Sequence, residues 1–461
     1  MKKTALTIAC LVFLLTLPDF VPALAHYKSF DWAMAPQVLE FTPRRASVNP
    51  VEDEAHRLRP DLDPASYSTH RLLDPKHNLD SFFAALRRTE MKEPGAVTRV
   101  VHYGDSPTTA DLITADVRTL LQQQFGDGGH GFHLIARPWA WYAHRGIDSD
   151  SDGWKIDPAN QSQVRDGLYG LGGVSFRGGE GAAARLKLRQ PGHAGVEISY
   201  LSEPGAGSFA VYADRQLLDT VSTAGERRGP QFVRVALPEK AKRLEVRVVS
   251  GSVRLFGVQL EKPGPGVVYS SLGLNGAYVS VLARFFDGEH WAEQLKHHRP
   301  HLVIINYGTN ESMYQDFIDK VYSKELGTVI RRVREAVPEA SLLIMSPMDR
   351  GRRDSSGDIT TVPLLPRLVA MQERMASEQG VAFFNTFQAM GGPGTMGKWY
   401  SAEPRLVGAD FIHPMPAGAR IVGNLLYKAL LDGYNKYKLK GMQQKLALSK
   451  AASKGKGRKQ P

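Results

Sequence analysis

Cysteine is nearly absent: the 461 residues hold one, Cys10. It lies inside an N-terminal apolar run, too early for a lipoprotein cleavage site, so a disulfide framework is excluded as the source of stability. Long apolar runs are equally scarce. Ala5 to Leu17 is short for a membrane span, and with Lys2 and Lys3 before it and Ala23-Leu24-Ala25 after it, residues 1–25 read as a signal peptide cleaved before His26. No later segment is apolar enough to cross a bilayer. The expected mature chain is therefore exported, periplasmic or extracellular, without a thiol, and held together by core size. Clusters of Cys and His at metal-ligand spacing, a phosphate loop and internal repeats are also missing, so the sequence implies no metal and no cofactor.

Acid is lacking in one place. Between Lys436 and Pro461 stand nine basic residues and no acidic one, so the formal charge of +11 belongs mainly to that end and the body is close to neutral. Residues 437–461 read as a basic disordered tail, suited to electrostatic contact with anionic envelope polymers or lipids. Nucleic acid is a poor partner for an exported protein. Residues 26–75, rich in Pro, Arg and Asp without a sustained period, read as an extended N-terminal arm.

What is present alternates. Val97 to Tyr103, Val267 to Leu272, Leu302 to Asn306, Leu342 to Met345 and Val381 to Phe384 are short, almost wholly apolar runs, as parallel strands covered on both faces must be. Helical patterns occur at Leu79 to Glu90, Ala110 to Phe125, Val279 to Lys296, Asp316 to Val337, Leu364 to Glu378 and Ala417 to Tyr434. The alternation predicts a three-layer α/β/α sandwich over 76–132 and 266–436. Between its first two strands the texture changes. Pairs such as Val196/Ile198 and Leu244/Val246 alternate with polar residues between Gly and Pro punctuation, which predicts an inserted antiparallel β-sandwich over 133–265 with its entry loops.

Ser106 follows the first strand in Gly104-Asp105-Ser106, a turn that lifts its hydroxyl to the carboxyl edge of the sheet beside a helix N-terminus. Asp410-Phe411-Ile412-His413 precedes the last helix. Three-residue spacing in a helical or 3₁₀ turn lets the Asp410 carboxylate fix the His413 tautomer. The order Ser, Asp, His assigns nucleophile, orienter and general base, although Thr108 replaces the second Gly of a Gly-x-Ser-x-Gly elbow. Asn310 in Gly308-Thr309-Asn310-Glu311 and Gly276 in Gly273-Leu274-Asn275-Gly276 also follow strands. They offer a side-chain amide and a backbone N–H to an oxyanion.

Gly104-Asp105-Ser106, Gly276, Gly308-Thr309-Asn310 and Asp410-x-x-His413 together resemble the four blocks of the SGNH (GDSL-type) hydrolases, serine esterases with a flavodoxin-like α/β/α fold. The resemblance spans residues 79 to 435 without the insert. Phe125-Gly-Asp-Gly-Gly-His-Gly-Phe132, Gly308-Thr-Asn-Glu311 and Met390-Gly-Gly-Pro-Gly-Thr-Met396 resemble the branch of bacterial peptidoglycan O-acetylesterases, whose members carry a β-sandwich similar to a carbohydrate-binding module at this place. It implies catalytic Ser106, Asp410 and His413, and an oxyanion hole of the Ser106 N–H, the Gly276 N–H and the Asn310 amide. Pro107 and Glu311 depart from the family pattern. The implied activity is removal of O-acetyl groups from an acetylated envelope or extracellular polysaccharide, with peptidoglycan first, through an acyl-Ser106 intermediate. Transfer of the acetyl group to a sugar hydroxyl and a non-catalytic polysaccharide-binding role are the alternatives.

Other signals are weaker. Asp148-x-Asp150-x-Asp152-Gly153 begins like a calcium loop but has Ala159 where the closing Glu belongs, so a polar surface turn is expected. His102 and His130 read as buried, hydrogen-bonded structural histidines. Trp139, Trp141, Tyr142 and Trp154 are able to stack on sugars, yet aromatics at a domain junction are more often core.

Overall fold

In the computed structural model the described residues are 72–162 and 165–456. The expected signal peptide, most of the arm and residues 457–461 lie outside them. The described chain opens with the two-residue strand β1 (Leu72–Leu73), helix α1 (Asp80–Glu90), strand β2 (Val97–Gly104) and helix α2 (Leu112–Phe125). Nine antiparallel strands follow: β3 (Gly129–His133), β4 (Ile147–Pro158), β5 (Val174–Leu188), β6 (Gly195–Ser202), β7 (Ser208–Ala213), β8 (Gln216–Ser222), β9 (Gly229–Ala236), β10 (Arg243–Ser250) and β11 (Ser252–Glu261). The α/β pattern then resumes with β12 (Gly266–Gly273), α3 (Gly288–His298), β13 (Leu302–Asn306), α4 (Ser323–Ala336) and β14 (Ser341–Met345). A hairpin of β15 (Gly351–Arg353) and β16 (Ile359–Thr361), α5 (Leu364–Gln379), β17 (Ala382–Phe384) and α6 (Pro416–Lys456) complete it.

The first sheet has the order β1-β17-β14-β13-β2-β12. All neighbours are parallel except β1, which pairs antiparallel with β17. Period-two alternation sends Val100, Ile304 and Leu343 to one face, against apolar residues of α1, α2 and α6 such as Phe82, Leu121 and Leu426. Val101, Val303 and Ile344 point to the other face, against Trp291 of α3, Leu326 of α4 and Leu365 of α5. This is the expected three-layer sandwich.

The insert is a second sheet that folds through β5. Along one edge β5 pairs with β4; along the other its first half meets β11 and its second half β10. The two arms, β10-β7-β8 and β11-β6-β9, bury Phe209, Val246, Ile198 and Val258 in the same core as the second face of the parallel sheet.

Four boundaries and elements depart from the sequence expectation. Leu72 and Leu73 lie within the expected arm but pair with Phe384 and Phe383. Gly129 to Phe132, expected in the α/β domain, pair with β11 of the insert together with His133, because this Gly-rich run gives no alternation to read. Asp148, Asp150 and Asp152 form no turn: they lie on β4, in register with β5. The expected disordered tail is helical from residue 437 to 456 as the continuation of α6. It contains no proline and is rich in Ala, Leu, Gln and Lys, which favour a helix without apolar periodicity.

Candidate active site

Strand β2 delivers Ser106 to the carboxyl edge. A Cβ on its last residue, Gly104, would stand 2.2 Å from Thr108 Oγ1 and 3.3 Å from the Asn306 carbonyl oxygen, so only glycine permits the turn to pass this close. Ser106 opens a single helical turn, Ser106–Thr109, and the long helix expected at Ala110 starts two residues later. Asp111 interrupts it with a left-handed φ of 51°. Its carboxylate is taken by Arg118 at 2.6 and 3.0 Å and by Thr114 at 2.7 Å, a stronger local partner set than continued helix offers. The field at Ser106 is therefore that of one turn of amides and not of a long helix.

Asp410 and His413 face Ser106 from the loop before α6. The loop is not the expected helical or 3₁₀ turn, since Phe411 has a φ of 59°. Asp410 Oδ1 accepts the Ile412 and His413 amides at 3.0 and 3.1 Å, and the Gly408 amide donates to the His413 carbonyl at 2.8 Å. This side-chain-closed turn brings the pair together all the same. Asp410 Oδ2 lies 2.5 Å from His413 Nδ1, and His413 Nε2 lies 2.8 Å from Ser106 Oγ. With Nδ1 donating to the carboxylate, Nε2 is left to accept the serine proton. Burial works against ionising Asp410, but the bonds from His413 and from the two amides outweigh it and hold the carboxyl below its ordinary range. Ser106 is 9% exposed, whereas the His413 and Asp410 side chains are 47% and 46% exposed. The nucleophile position is thus recessed while the rim is open.

The loop after β12 carries Gly276. The Leu274 amide donates to the Gly104 carbonyl at 2.9 Å and the Ala277 amide to the Leu274 carbonyl at 3.1 Å, closing a turn in which Gly276 has a φ of 68°. Asn310 Nδ2 donates one hydrogen to the Ala277 carbonyl at 2.9 Å and keeps a second. Beside it Glu311 Oε1 accepts the Val279 amide at 2.8 Å. Glu311 is fully buried; that burial, against its backbone hydrogen bonds, pushes its carboxyl up to about 8, so it is protonated at neutral pH. Asp105, 1% exposed, is likewise pushed up to about 6 by burial, against bonds from Thr309 and the charge of His413.

Two side chains at this edge carried no signal in the sequence. Asn160, in the insert, donates from Nδ2 to the Asn275 carbonyl at 2.7 Å across 115 positions. The Asn275 carbonyl and the Gly276 N–H belong to one planar trans peptide and point in opposite directions, so the bond that fixes the first aims the second. Arg350, half-buried after β14, donates from Nη1 to the Thr309 carbonyl at 2.6 Å. Burial lowers its pKa, while Asp105 and Asp410 act in the opposite sense.

The weaker sequence signals also resolve. Asp148 meets Arg189 at 2.7 Å, and Asp150 and Asp152 meet Arg185 at 3.2 and 2.7 Å. Among the described residues no group of three or more His, Cys, Asp or Glu is arranged to hold a metal ion. His102 Nδ1 lies 2.7 Å from the Tyr269 hydroxyl, and His130 Nδ1 lies 3.0 Å from His193 Nε2, both pairs buried. Trp139 and Tyr142 are core and Trp154 packs against it, while Trp141 is exposed.

A serine bonded to a carboxylate-oriented histidine, at the carboxyl edge of a parallel α/β sheet, defines the serine-hydrolase class. Residues 247–421 match the GDSL-like lipase/acylhydrolase family, and the chain carries an SGNH hydrolase domain of that kind. The matched stretch holds Gly276, Asn310, Asp410 and His413 but begins after Ser106, which the insert separates from it in sequence. A solved peptidoglycan O-acetylesterase shares the fold, with a TM-score of 0.68 at 22% identity over 79% of this chain and 99% of that one. A putative GDSL-like lipase from Parabacteroides merdae aligns with a TM-score of 0.28 at 18% identity, over 36% of this chain and 72% of that one. A family two carbohydrate esterase from Clostridium thermocellum aligns with a TM-score of 0.27 at 14% identity, over 58% and 99%. No curated protein matches the chain by sequence.

Proposed function

We propose that this serine esterase removes O-acetyl groups from an envelope polysaccharide, with peptidoglycan as the first substrate, after export directed by its N-terminal segment. The observation that carries the reading is the continuous hydrogen-bonded chain from Ser106 through His413 to Asp410 on an open rim. His413 Nε2 takes the Ser106 proton as Oγ attacks the acetyl carbonyl carbon. The oxyanion is met by the N–H groups of Ser106 and Gly276 and the free hydrogen of the Asn310 amide. As the tetrahedral intermediate collapses, the bond to the sugar oxygen breaks and His413 returns its proton to that oxygen. Water then attacks acetyl-Ser106, gives a proton to His413, and acetate leaves as Ser106 is reprotonated.

The fold shared with an O-acetylesterase of peptidoglycan supports the substrate class. The exposed rim supports hydrolysis over acetyl transfer, since a transferase must keep water from the acyl-enzyme and nearly half of each of His413 and Asp410 is open to it. The test is acetate release from O-acetylated peptidoglycan, with Ser106→Ala as control. Release by the wild type and none by the variant, at an unchanged melting temperature, is the expected result. Equal release by both removes Ser106 from the mechanism, and activity on aryl acetates without release from the polymer removes the substrate.

A further inference from the structure

A second polar site lies at the opposite, amino edge of the parallel sheet. A cavity of about 340 Å³ opens there between the insert and the α/β body. Arg99 near the start of β2 lines it, five residues and so about 16 Å of strand before Gly104, beyond which the chain turns to Ser106. It is therefore separate from the esterase site.

Most of its wall is internally wired. Arg99 binds Glu261 through two parallel bonds of 2.9 and 3.0 Å, and Gln259 Nε2 braces the same carboxylate at 2.8 Å. Glu197 is taken by His297 at 2.9 Å, and His297 lies flat on Phe232 with ring centroids 3.6 Å apart. Both wall carboxylates thus already have hydrogen-bond partners. Arg234 of β9 and Arg299, just after α3, also line the cavity; both are exposed and make no close ion pair among the described residues, although the charge of Arg234 still reaches Glu261. Fixed Arg–Glu and His–Glu pairs with a buried amide offer mixed donors and acceptors, as a set of hydroxyls requires. With three guanidinium groups against two carboxylates the wall is net positive and favours an anion, best a planar carboxylate that a guanidinium grips with two bonds. A bare inorganic ion meets the second demand and leaves the first unmet.

We propose that this cavity binds a sugar unit bearing a carboxylate, independently of the esterase site. The probes are glucuronate, glucose and inorganic phosphate, none of which carries an ester, so the outcome is separable from the hydrolytic reading. Isothermal titration of the full chain should give saturable binding of glucuronate that weakens as salt rises. The Arg234→Ala/Arg299→Ala variant alters two exposed side chains that make no close ion pair, and an unchanged melting temperature verifies its fold. It should lose at least roughly tenfold in glucuronate affinity, and glucose should bind the wild type at least as poorly. No saturable glucuronate binding to the wild type overturns the proposal, as does equal affinity in the folded variant. Phosphate binding as tightly as glucuronate, with the same sensitivity to the variant, reduces the site to one for any anion and overturns the sugar assignment.

Discussion

The side-chain amide of Asn160 lies 2.7 Å from the carbonyl oxygen of Asn275, tying the antiparallel insert to the peptide that ends in the Gly276 N–H. If that bond aims the oxyanion donor, its loss acts on the transition state and not on substrate binding. Asn160→Ala should lower kcat for an aryl acetate by about tenfold with KM little changed, roughly 1.4 kcal/mol of transition-state stabilisation. Asn160→Asp keeps the shape but replaces the donor with an acceptor, and should be at least as slow. Normal kcat in both variants would limit the insert to a role away from the reacting atoms.

The sequence disclosed those parts of the fold whose physics is local. Strands buried on both faces must be apolar throughout, so Leu302 to Asn306 is found with the expected bounds. Ser106 and Asn310 stand out in the sequence because each lies in the turn after such a strand, and Asp410 with His413 because their spacing is short. The acidic run Asp148 to Asp152 misled because its alternation is charged: on β4, Asp148 and Asp150 stand opposite Lys187 and Arg185 of β5. The end of α6 was missed because propensity without amphipathic period looks like a solvated tail. Asn160 was illegible for a different reason, since its partner is fixed only once the insert docks on the β12 loop.

Glu311 makes stability depend on pH. Its native carboxyl holds a proton up to about 8, whereas the unfolded group releases it near its ordinary value of 4.5. Between those values the native state carries more protons, so stability falls as pH rises. Glu311→Gln has the same shape and no proton to lose. Its melting temperature, measured against the wild type, should improve from pH 5 to pH 8 by at least about 2 °C. Parallel pH profiles for the two proteins would show that Glu311 ionises normally.

Activity should withstand a strong chelator. The three aspartates that begin like a calcium loop are engaged by Arg185 on the neighbouring strand and Arg189 just after it, and the proposed chemistry routes every proton through His413. Turnover of an aryl acetate before and after prolonged chelation decides the point. Loss of turnover that calcium restores would convert β4 from a structural strand to a cation site.

Asn310→Ala separates an oxyanion donor from a structural tie, because the amide does one visible thing and is proposed to do another. Its visible bond, 2.9 Å to the Ala277 carbonyl, holds the Gly276 turn against the loop after β13. Losing that tie alone should cost about 1 kcal/mol of stability and leave turnover per folded molecule near normal. Losing a donor to developing charge should instead lower kcat by about 10² to 10³, with KM little affected. Asn310→Asp discriminates further, since it keeps the size but cannot donate and sets a negative charge against the oxyanion. It should be slower than Asn310→Ala if the donor role holds. Melting temperature and single-turnover acetylation measured on one preparation of each variant give both quantities, and destabilised variants with intact acetylation rates would confine Asn310 to the turn.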